Sequence, residues 1–352
     1  MSSPGQAGKP IVVGVFYDFP QHDGGAGFEE AVRIGLAEVA ATGRLDREIE
    51  LRAVQADGLP AGTAHDLEQK FRGLVDQGVL AILGPSISDN GYIIRELADE
   101  LRVPCINYTG GELTRSEWMF HYQIGSLEEE PVVLAQHIDR VGLRSIAVIY
   151  DNSPVGRRYL EYLNEACGVL GLDIVGTAAI SPLTEDLVSV AKRLQAASPD
   201  ALVYLGLGVA ARAVALAVAE LGWDLPVVAN SSLMFGYARP DWREGWEGWV
   251  YIDGIADENK VRAALREKSR ASAGGPVGCG AYDMGRLIGE AVARSAHLTR
   301  AGIRDGLEKV KRMPAASGVD GTFMGFGNQD HAALKGDYLV LRTWKGGRTV
   351  QI

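Results

Sequence analysis

The chain alternates short apolar runs with longer segments in which apolar residues recur every three or four positions. The first run, 11–17, reads Ile-Val-Val-Gly-Val-Phe-Tyr and is almost continuously apolar, which is typical of a strand buried on both faces. In the next segment Phe28, Val32, Leu36 and Val39 recur at helical spacing and predict an amphipathic helix. This alternation predicts βαβ units, in which helices cover a parallel sheet.

The alternation runs through the first third of the chain and then begins again. In the first series we predict strands at 49–56, 79–83 and 103–107 and helices at 64–77 and 89–101. In the second series we predict strands at 145–150, 172–180, 201–205, 226–229 and 249–252 and helices at 132–141, 157–170, 186–197 and 209–221. The remainder predicts helices at 258–272, 281–297 and 301–311, then a hairpin of 338–343 and 348–352. The pattern therefore predicts two α/β halves, each with a doubly wound parallel sheet.

Charge and cysteine usage exclude several classes of function. The 352 residues include 45 acidic and 35 basic side chains, a net charge of −10, which disfavours nucleic-acid binding because no basic excess exists to release counterions. Cys105, Cys167 and Cys279 are far apart in the sequence, and the six histidines lack ligand spacing. We therefore predict neither a metal site nor a disulfide framework.

Membrane and targeting signals are also missing from the sequence pattern. The apolar stretch 201–223 contains Arg212 and Glu220, which are costly inside a bilayer, so we interpret it as a strand and a helix and predict no membrane span. Residues 1–10 are small and polar and lack an apolar signal core. We predict that this segment is disordered and that the protein is cytoplasmic if Met1 is the native start.

The loops that follow the predicted strands carry the candidate binding groups, because ligands of open α/β sheets bind at the carboxyl ends of strands. In Gly84-Pro-Ser-Ile-Ser88, a tight turn presents two hydroxyls, and we place Ser88 at the N-cap of the next helix. The first helical amides and the helix dipole favour a carboxylate there, although a serine cap without ligand explains the same residues. Tyr108 and Thr109 offer further hydroxyls after the neighbouring strand.

Enzyme signatures are weak. Gly206-Leu-Gly-Val-Ala-Ala211 follows a strand and opens a helix, as dinucleotide-binding loops do, but Asn230 rather than an acidic residue ends the next strand. Helix–strand packing by small residues is the preferred interpretation. No serine or cysteine stands beside a histidine in a nucleophile–base arrangement. We therefore expect no enzyme activity and no cofactor, with a dinucleotide-dependent enzyme as the least favoured alternative.

The ordered set of motifs resembles the type I periplasmic binding proteins, in particular the leucine/isoleucine/valine-binding group of ABC transporter solute receptors. The resemblance runs from about Ile11 to the C-terminus. The residues that carry it are Gly84-Pro85 with Ser86 and Ser88, 104–109 (Pro-Cys-Ile-Asn-Tyr-Thr), 146–151 with Gly156, 199–204, and Ala281-Tyr282-Asp283. The resemblance implies two lobes joined by a three-strand hinge. Lobe 1 would contain 11–124 and 255–325, and lobe 2 would contain 125–254 and 326–352.

The resemblance also implies a set of ligand-binding residues. Ser86, Ser88 and Thr109 match the family's carboxylate-binding loops, and 17–19 match the first-strand loop that walls the pocket. The full set of candidates is Tyr17, Phe19, Ser86, Ser88, Tyr108, Thr109, Asp151, Asn230, Tyr282 and Asp283.

Two positions depart from the family pattern. Asn230 stands where amino-acid receptors commonly carry an acid that pairs with the ligand's ammonium, and Val155 stands where an aromatic residue is common. Both changes favour a ligand with an acid or amide group but no amine, unless Asp151 or Asp283 supplies the missing charge.

We therefore expect a solute-binding receptor that closes its two lobes on a small organic ligand, an amino acid or a related carboxylate or amide, aromatic ligands included. Under this hypothesis its partner is an ABC permease and its location is periplasmic. The alternative is a cytosolic ligand sensor of the same fold that signals to a regulatory partner protein.

Overall fold

The structure is a computed structural model and describes residues 9–19, 25–243 and 245–352. The segment 1–10, predicted to be disordered, lies outside the described residues except for Lys9 and Pro10. The described chain divides into two compact units. Unit 1 contains the residues up to Thr109, Leu113–Gln123 and Asn259–Gly336, and unit 2 contains Gly110–Glu112, Ile124–Glu258 and Asp337–Ile352.

Unit 1 is built on a five-stranded parallel sheet with the order β2-β1-β3-β4-β5. Its elements follow one another as β1 (Ile11–Tyr17), α1 (Ala26–Ala40), β2 (Ile49–Gln55), α2 (Ala64–Asp76), β3 (Ala81–Leu83), α3 (Ser88–Leu101), β4 (Cys105–Asn107) and β5 (Met119–His121). Strand β5 is absent from the sequence prediction because its residues lie in no long apolar run of the kind that marks a buried strand. The other four strands were predicted.

The core of unit 1 lies between the sheet and its helices. Phe16 on β1 meets Phe71 on α2 edge to face at a centroid distance of 5.5 Å, and both side chains are fully buried. Ile82 on β3 belongs to the same cluster. Burial of such side chains contributes about 1.5–3 kcal/mol each, which is why the near-continuous apolar runs form the central strands.

Three helices near the end of the chain return to unit 1: α8 (Lys260–Lys268), α9 (Pro276–Arg294) and α10 (Arg300–Glu308). Helix α9 packs closely on α1 because both carry glycine at the contact. A Cβ on Gly35 would lie 2.2 Å from the carbonyl oxygen of Tyr282, and a Cβ on Gly285 would lie 2.3 Å from that of Val32. The two backbones therefore touch directly.

Unit 2 has a seven-stranded sheet with the order β15-β14-β10-β9-β8-β6-β7. Its elements are α4 (Glu129–Arg140), β6 (Ser145–Asp151), α5 (Pro154–Leu170), β7 (Asp173–Ile180), α6 (Val188–Gln195), β8 (Ala201–Leu205), α7 (Ala211–Glu220), β9 (Val227–Ala229) and β10 (Val250–Asp253), followed after unit 1 by β14 (Val340–Lys345) and β15 (Arg348–Gln351). The five strands β6 to β10 are parallel, and the C-terminal hairpin joins them antiparallel.

Both faces of the unit 2 sheet are buried, as the sequence predicts for a doubly wound arrangement. Along β6, Ile146 and Val148 belong to one apolar cluster, whereas Ala147 and Ile149 belong to a second one. Because successive side chains of a strand point to opposite faces, the two clusters cover opposite sides of the sheet. The two-lobe parallel α/β fold is therefore confirmed.

In the structure, the chain passes from unit 1 back to unit 2 at a later residue than the sequence predicts. A small antiparallel sheet of β11 (Met313–Pro314), β12 (Phe323–Met324) and β13 (Leu334–Lys335) belongs to unit 1. The crossings therefore follow Glu258 and Gly336, whereas we predicted them after 254 and 325. Two-residue strands carry no periodic signal, so the sequence does not mark this boundary.

Within the described ranges, no helix is both long and apolar enough to cross a membrane. In the same part of the chain, no group of three histidine, cysteine, aspartate or glutamate side chains is arranged to hold a metal ion.

We expect Gly35→Ala to destabilise unit 1, because the new methyl group would push α1 away from the α9 backbone. The expected loss is about 1–3 kcal/mol in the free energy of unfolding, as measured by chemical denaturation. Gly73→Ala in α2 is the matched control, because nothing lies within 4 Å of the added Cβ. That variant should be neutral or up to about 1 kcal/mol more stable. Equal effects of the two substitutions would contradict the close packing of α1 on α9.

Candidate functional site

Each parallel sheet has one point at which the strand order reverses. In unit 1 it lies between β1 and β3, and in unit 2 between β6 and β8. Helical connections leave in opposite directions from these strands, so the chain opens a crevice at their carboxyl ends, where ligands of such folds bind. The loops at both points carry residues that the sequence singled out.

In unit 1 the switch point is organised by Asp18, which directly follows β1 and is fully buried. Its Oδ1 accepts hydrogen bonds from the Ser86 amide at 2.8 Å and the Ser86 hydroxyl at 2.6 Å. Its Oδ2 accepts from the Ile87 amide at 3.0 Å and from Asn90 Nδ2 at 2.9 Å. Burial raises the pKa of the Asp18 carboxyl, and the four donors act against that shift. The predicted anion-binding loop thus binds a carboxylate of its own chain.

The structure corrects the predicted role of Ser88 in α3. The N-cap of the helix is Ile87, with an extended backbone, and Ser88 is the first helical residue. Asp18 binds the amides of Ser86 and Ile87, which precede the helix, and no side chain caps the first helical amides. Ser88 is a buried residue. It stays a candidate for contact with a ligand.

Thr109 lies at the same end of the sheet, but its hydroxyl and its amide both bind another residue of unit 1. Its hydroxyl donates to Asn107 Oδ1 at 2.9 Å, and its amide donates to the same oxygen at 3.3 Å. Asn107 Nδ2 in turn donates to the Phe120 carbonyl at 2.9 Å. Thr109 therefore holds the end of β4 in place.

An aromatic cluster stands beside Asp18. Phe28 stacks on Tyr108 with ring centroids 5.0 Å apart and meets Tyr17 edge to face at 5.8 Å. The Tyr17 hydroxyl donates to the Gly25 carbonyl at 3.1 Å. In contrast, the buried Tyr108 hydroxyl has no hydrogen-bond partner within the described residues. Phe19 is half-buried directly after Asp18.

In unit 2 the switch point is again organised by a buried aspartate. Asp151 ends β6, and its Oδ2 accepts the Leu207 amide at 2.7 Å while its Oδ1 accepts the Tyr204 hydroxyl at 3.3 Å. The Tyr204 hydroxyl also accepts the Gly208 amide at 3.2 Å. The glycine loop with the dinucleotide-like pattern therefore has its amides bound by side chains of this unit, and a carboxylate stands where a phosphate would bind.

Asn230 completes this arrangement from the end of β9. Its Oδ1 accepts the Gly206 amide at 3.3 Å and the Ser232 hydroxyl at 2.7 Å, and its Nδ2 donates to the Gly206 carbonyl at 3.0 Å. Both ends of the amide are thus used to hold the Gly206 backbone. Asn230 shapes the loop that was expected to face the ligand.

A further buried carboxylate, Glu130 on α4, escapes the sequence analysis. It accepts hydrogen bonds from the amides of Ser126 and Ser231 at 2.6 and 2.7 Å, from the Ser231 hydroxyl at 3.0 Å and from the Tyr159 hydroxyl at 3.1 Å. Burial raises the pKa of Glu130 from its ordinary 4.5 to about 7. In the sequence, a glutamate in the first turn of a helix cannot be told from a solvated residue. The only signal for this contact was Ser231, which lies close to the end of β9.

Tyr282 and Asp283 lie on α9 and are not brought to Asp18 or Ser86 by any contact of the described residues. The Tyr282 hydroxyl donates to Glu38 Oε2 at 2.6 Å. Asp283 accepts from the Tyr122 hydroxyl at 2.9 Å and the Ala316 amide at 2.7 Å. Burial raises the pKa of Asp283 to about 6. The charge of Asp283 is thus used inside unit 1.

A family model and several solved structures match this chain over nearly its whole length. The family model described as "Periplasmic binding protein" matches residues 10–348. The chain is also similar in structure to a periplasmic binding protein type 1 from Bordetella pertussis Tohama I, with a TM-score of 0.83 and 16% identity, covering 98% of this chain and 100% of that one. No curated protein matches the sequence significantly.

The descriptions of two other similar structures name leucine. One is an ABC transporter substrate-binding protein from Desulfitobacterium hafniense in complex with Leu (TM-score 0.81, 17% identity, 98% of this chain and 100% of that one). The other is a leucine binding protein from Thermotoga maritima (TM-score 0.80, 15% identity, 97% of each chain). At these identities the likeness establishes the fold alone.

The pKa of Glu130 gives a pH-dependent contribution to stability with a defined sign. Since the folded state holds the proton more tightly than the unfolded state, the contribution is fully present below about pH 4.5 and is lost as the pH rises through about 7. Glu130→Gln removes the titration. We therefore expect the stability of wild type relative to this variant to fall between pH 5 and 7.5, by an amount on the order of 1–3 kcal/mol.

Urea unfolding of both proteins across this pH range measures the difference. Glu165→Gln, at an exposed position on α5, is the control and should follow the wild type at every pH. A constant difference between wild type and Glu130→Gln would contradict the raised pKa.

Proposed function

Since the chain belongs to the periplasmic binding protein family, we propose that it is a solute-binding receptor that closes its two units on a small organic ligand. Membership in this family makes it a binding protein and not an enzyme. The observation that supports a binding role most directly is the unit 1 switch point, where the buried hydroxyl of Tyr108 has no partner among the described residues. A buried hydroxyl is costly without a partner, so a ligand is its natural acceptor or donor.

We propose an amino acid or a related carboxylate or amide with an apolar or aromatic body as the ligand. Two similar structures are described as leucine-binding or as a complex with Leu, which supports a ligand of this size and polarity. In this chain Tyr17, Phe28 and Tyr108 form an aromatic cluster at the switch point, and such rings favour an apolar body.

The candidate residues fall into two roles. Ser88 and Tyr108 would contact the ligand, with Tyr17 and Phe19 beside them. Four residues, in contrast, would position the loops that surround the ligand because their polar atoms bind this chain's own groups: Ser86, Thr109, Asp151 and Asn230. Tyr282 and Asp283 would act through the packing of α9.

We propose an ABC permease as the protein partner and an extracytoplasmic location. The support is the family and the description of the Desulfitobacterium hafniense structure as an ABC transporter substrate-binding protein.

A thermal-shift screen tests the proposed function. The panel contains leucine, valine and phenylalanine, the deaminated acids of each, and the corresponding carboxamides. A ligand present at 100 times its Kd adds about 2.7 kcal/mol to stability, which raises Tm by several degrees. Small-angle scattering with the best compound should show a smaller radius of gyration, because the two units close on the ligand. A panel without any shift, together with an unchanged radius, would contradict the proposal.

We expect Ser88→Ala to weaken the binding of the best compound by about 1–3 kcal/mol, since the ligand group would lose its partner in a buried site. Isothermal titration calorimetry measures the change. Ser269→Ala is the control, because this serine follows α8 and binds the amide of Ser272. It should leave Kd unchanged, and an unchanged Kd for Ser88→Ala would remove Ser88 from the site.

A further inference from the structure

The hydrogen bonds of Asp18 define its charge state. An ionised carboxylate offers about four acceptor positions, and the four bonds of Asp18 fill them, two on each oxygen. The amides of Ser86 and Ile87 and the Asn90 amide group only donate in these contacts. These three donor-only groups favour the ionised form of Asp18, since of its four partners only the Ser86 hydroxyl could accept a proton from a protonated carboxyl.

The negative charge of Asp18 stays uncompensated by any cationic side chain among the described residues. Its partners are neutral groups, and no ion pair of the described residues includes it. A ligand carboxylate at this switch point would therefore meet a like charge in a buried environment, where repulsion is strong. It would also find the amide donors of the loop already occupied.

Tyr108 offers the complementary interaction. Its hydroxyl is buried and makes no hydrogen bond of normal geometry in the described part of the chain. The Ser86 side chain interacts with it only weakly, and that interaction lowers its pKa against the effects of burial and of Asp18. Burial and the negative charge of Asp18 raise this pKa well above its ordinary value, so the phenol keeps its proton. A neutral phenol beside an anion donates a hydrogen bond to an uncharged acceptor such as a carbonyl oxygen.

Unit 2 repeats the arrangement at its own switch point. There Asp151 accepts the Leu207 amide, and the Tyr204 hydroxyl lies within hydrogen-bond distance of the same carboxylate. In unit 1, Asp18 follows β1 and binds the loop after β3. In unit 2, Asp151 ends β6 and binds the loop after β8. The internal carboxylate is therefore a consistent feature of this chain at the two places where an anionic group would otherwise bind.

We propose that Asp18 is a specificity-determining residue that excludes ligand carboxylates from the unit 1 switch point, and that the ligand presents an uncharged carbonyl, such as a carboxamide, to the Tyr108 hydroxyl. This inference rests on the proposed function and narrows its ligand class. The aromatic cluster of Tyr17, Phe28 and Tyr108 would hold the apolar body of the same ligand.

Two sets of matched compounds test the inference. The aromatic set is phenylacetamide, phenylacetate and phenethylamine, and the aliphatic set is isovaleramide, isovalerate and isoamylamine. Within a set the size is nearly constant, and only the charge of the polar end changes. Calorimetric titration of the wild-type protein should give a Kd for the amide at least tenfold lower than for the acid and for the amine in at least one set.

Two variants connect this preference to its residues. In Asp18→Asn the ratio of the acid Kd to the amide Kd should fall at least tenfold, because the like charge is gone. Tyr108→Phe should raise the amide Kd at least fivefold, because the donor is lost, and should leave the acid Kd unchanged. Asp76→Asn, at the exposed end of α2, controls for a general effect of net charge and should behave as the wild type.

The outcomes separate this inference from the function on which it rests. Binding of the acid or the amine as tight as that of the amide in wild type would overturn the inference and leave the solute-receptor function intact. Binding of none of the six compounds or of the amino acids would overturn both. If Asp18→Asn does not fold, the wild-type preference and Tyr108→Phe still decide, since an unchanged amide Kd in Tyr108→Phe would overturn the inference.

Discussion

Backbone amides at the carboxyl ends of parallel strands must be satisfied, and in this protein buried carboxylates do much of that work. A loop that leaves a sheet edge has N–H groups that no neighbouring strand can pair, and leaving them unpaired in a buried position costs about 1–3 kcal/mol each. Asp18 binds two such amides in unit 1, and Asp151 binds one in unit 2. Glu130 joins the amides of Ser126 and Ser231 in the same way.

The strand order explains why these carboxylates lie where they do. At a switch point the helical connections diverge, so the loops there lack the cover that a neighbouring connection gives elsewhere. An aspartate at the end of the first strand is within reach of the loop after the third strand only because β1 pairs directly with β3, and β6 with β8. Sheet topology thus places one side chain of each unit against the loop that is best suited to bind an anion.

The sequence predicted the fold well, whereas the contacts of the candidate site residues depend on tertiary structure. Long apolar runs such as 11–17 and 145–150 mark buried strands because burial on both faces removes polar positions. Strand β5 lies in no such run, and β11 to β13 are too short to carry a period. Asp18 was missed as a binding group although it follows the first strand, because its partners are 68 and 69 positions away in the chain. The binding of the Ser86 and Ile87 amides by a distant carboxylate is a tertiary interaction that local patterns do not contain.

Filling the anion-binding donors from within also changes what a ligand must supply. A receptor loop with free amides gains affinity from a ligand carboxylate but has to be held in shape until the ligand arrives. Here the Asp18 carboxylate itself fixes Ser86, Ile87 and Asn90, so little ordering of this loop is left to oppose binding. For the proposed uncharged ligand, affinity would come from apolar contact with the aromatic cluster and from the Tyr108 hydroxyl. The charge of Asp18 would then have two effects: it shapes the loop, and it disfavours a ligand carboxylate.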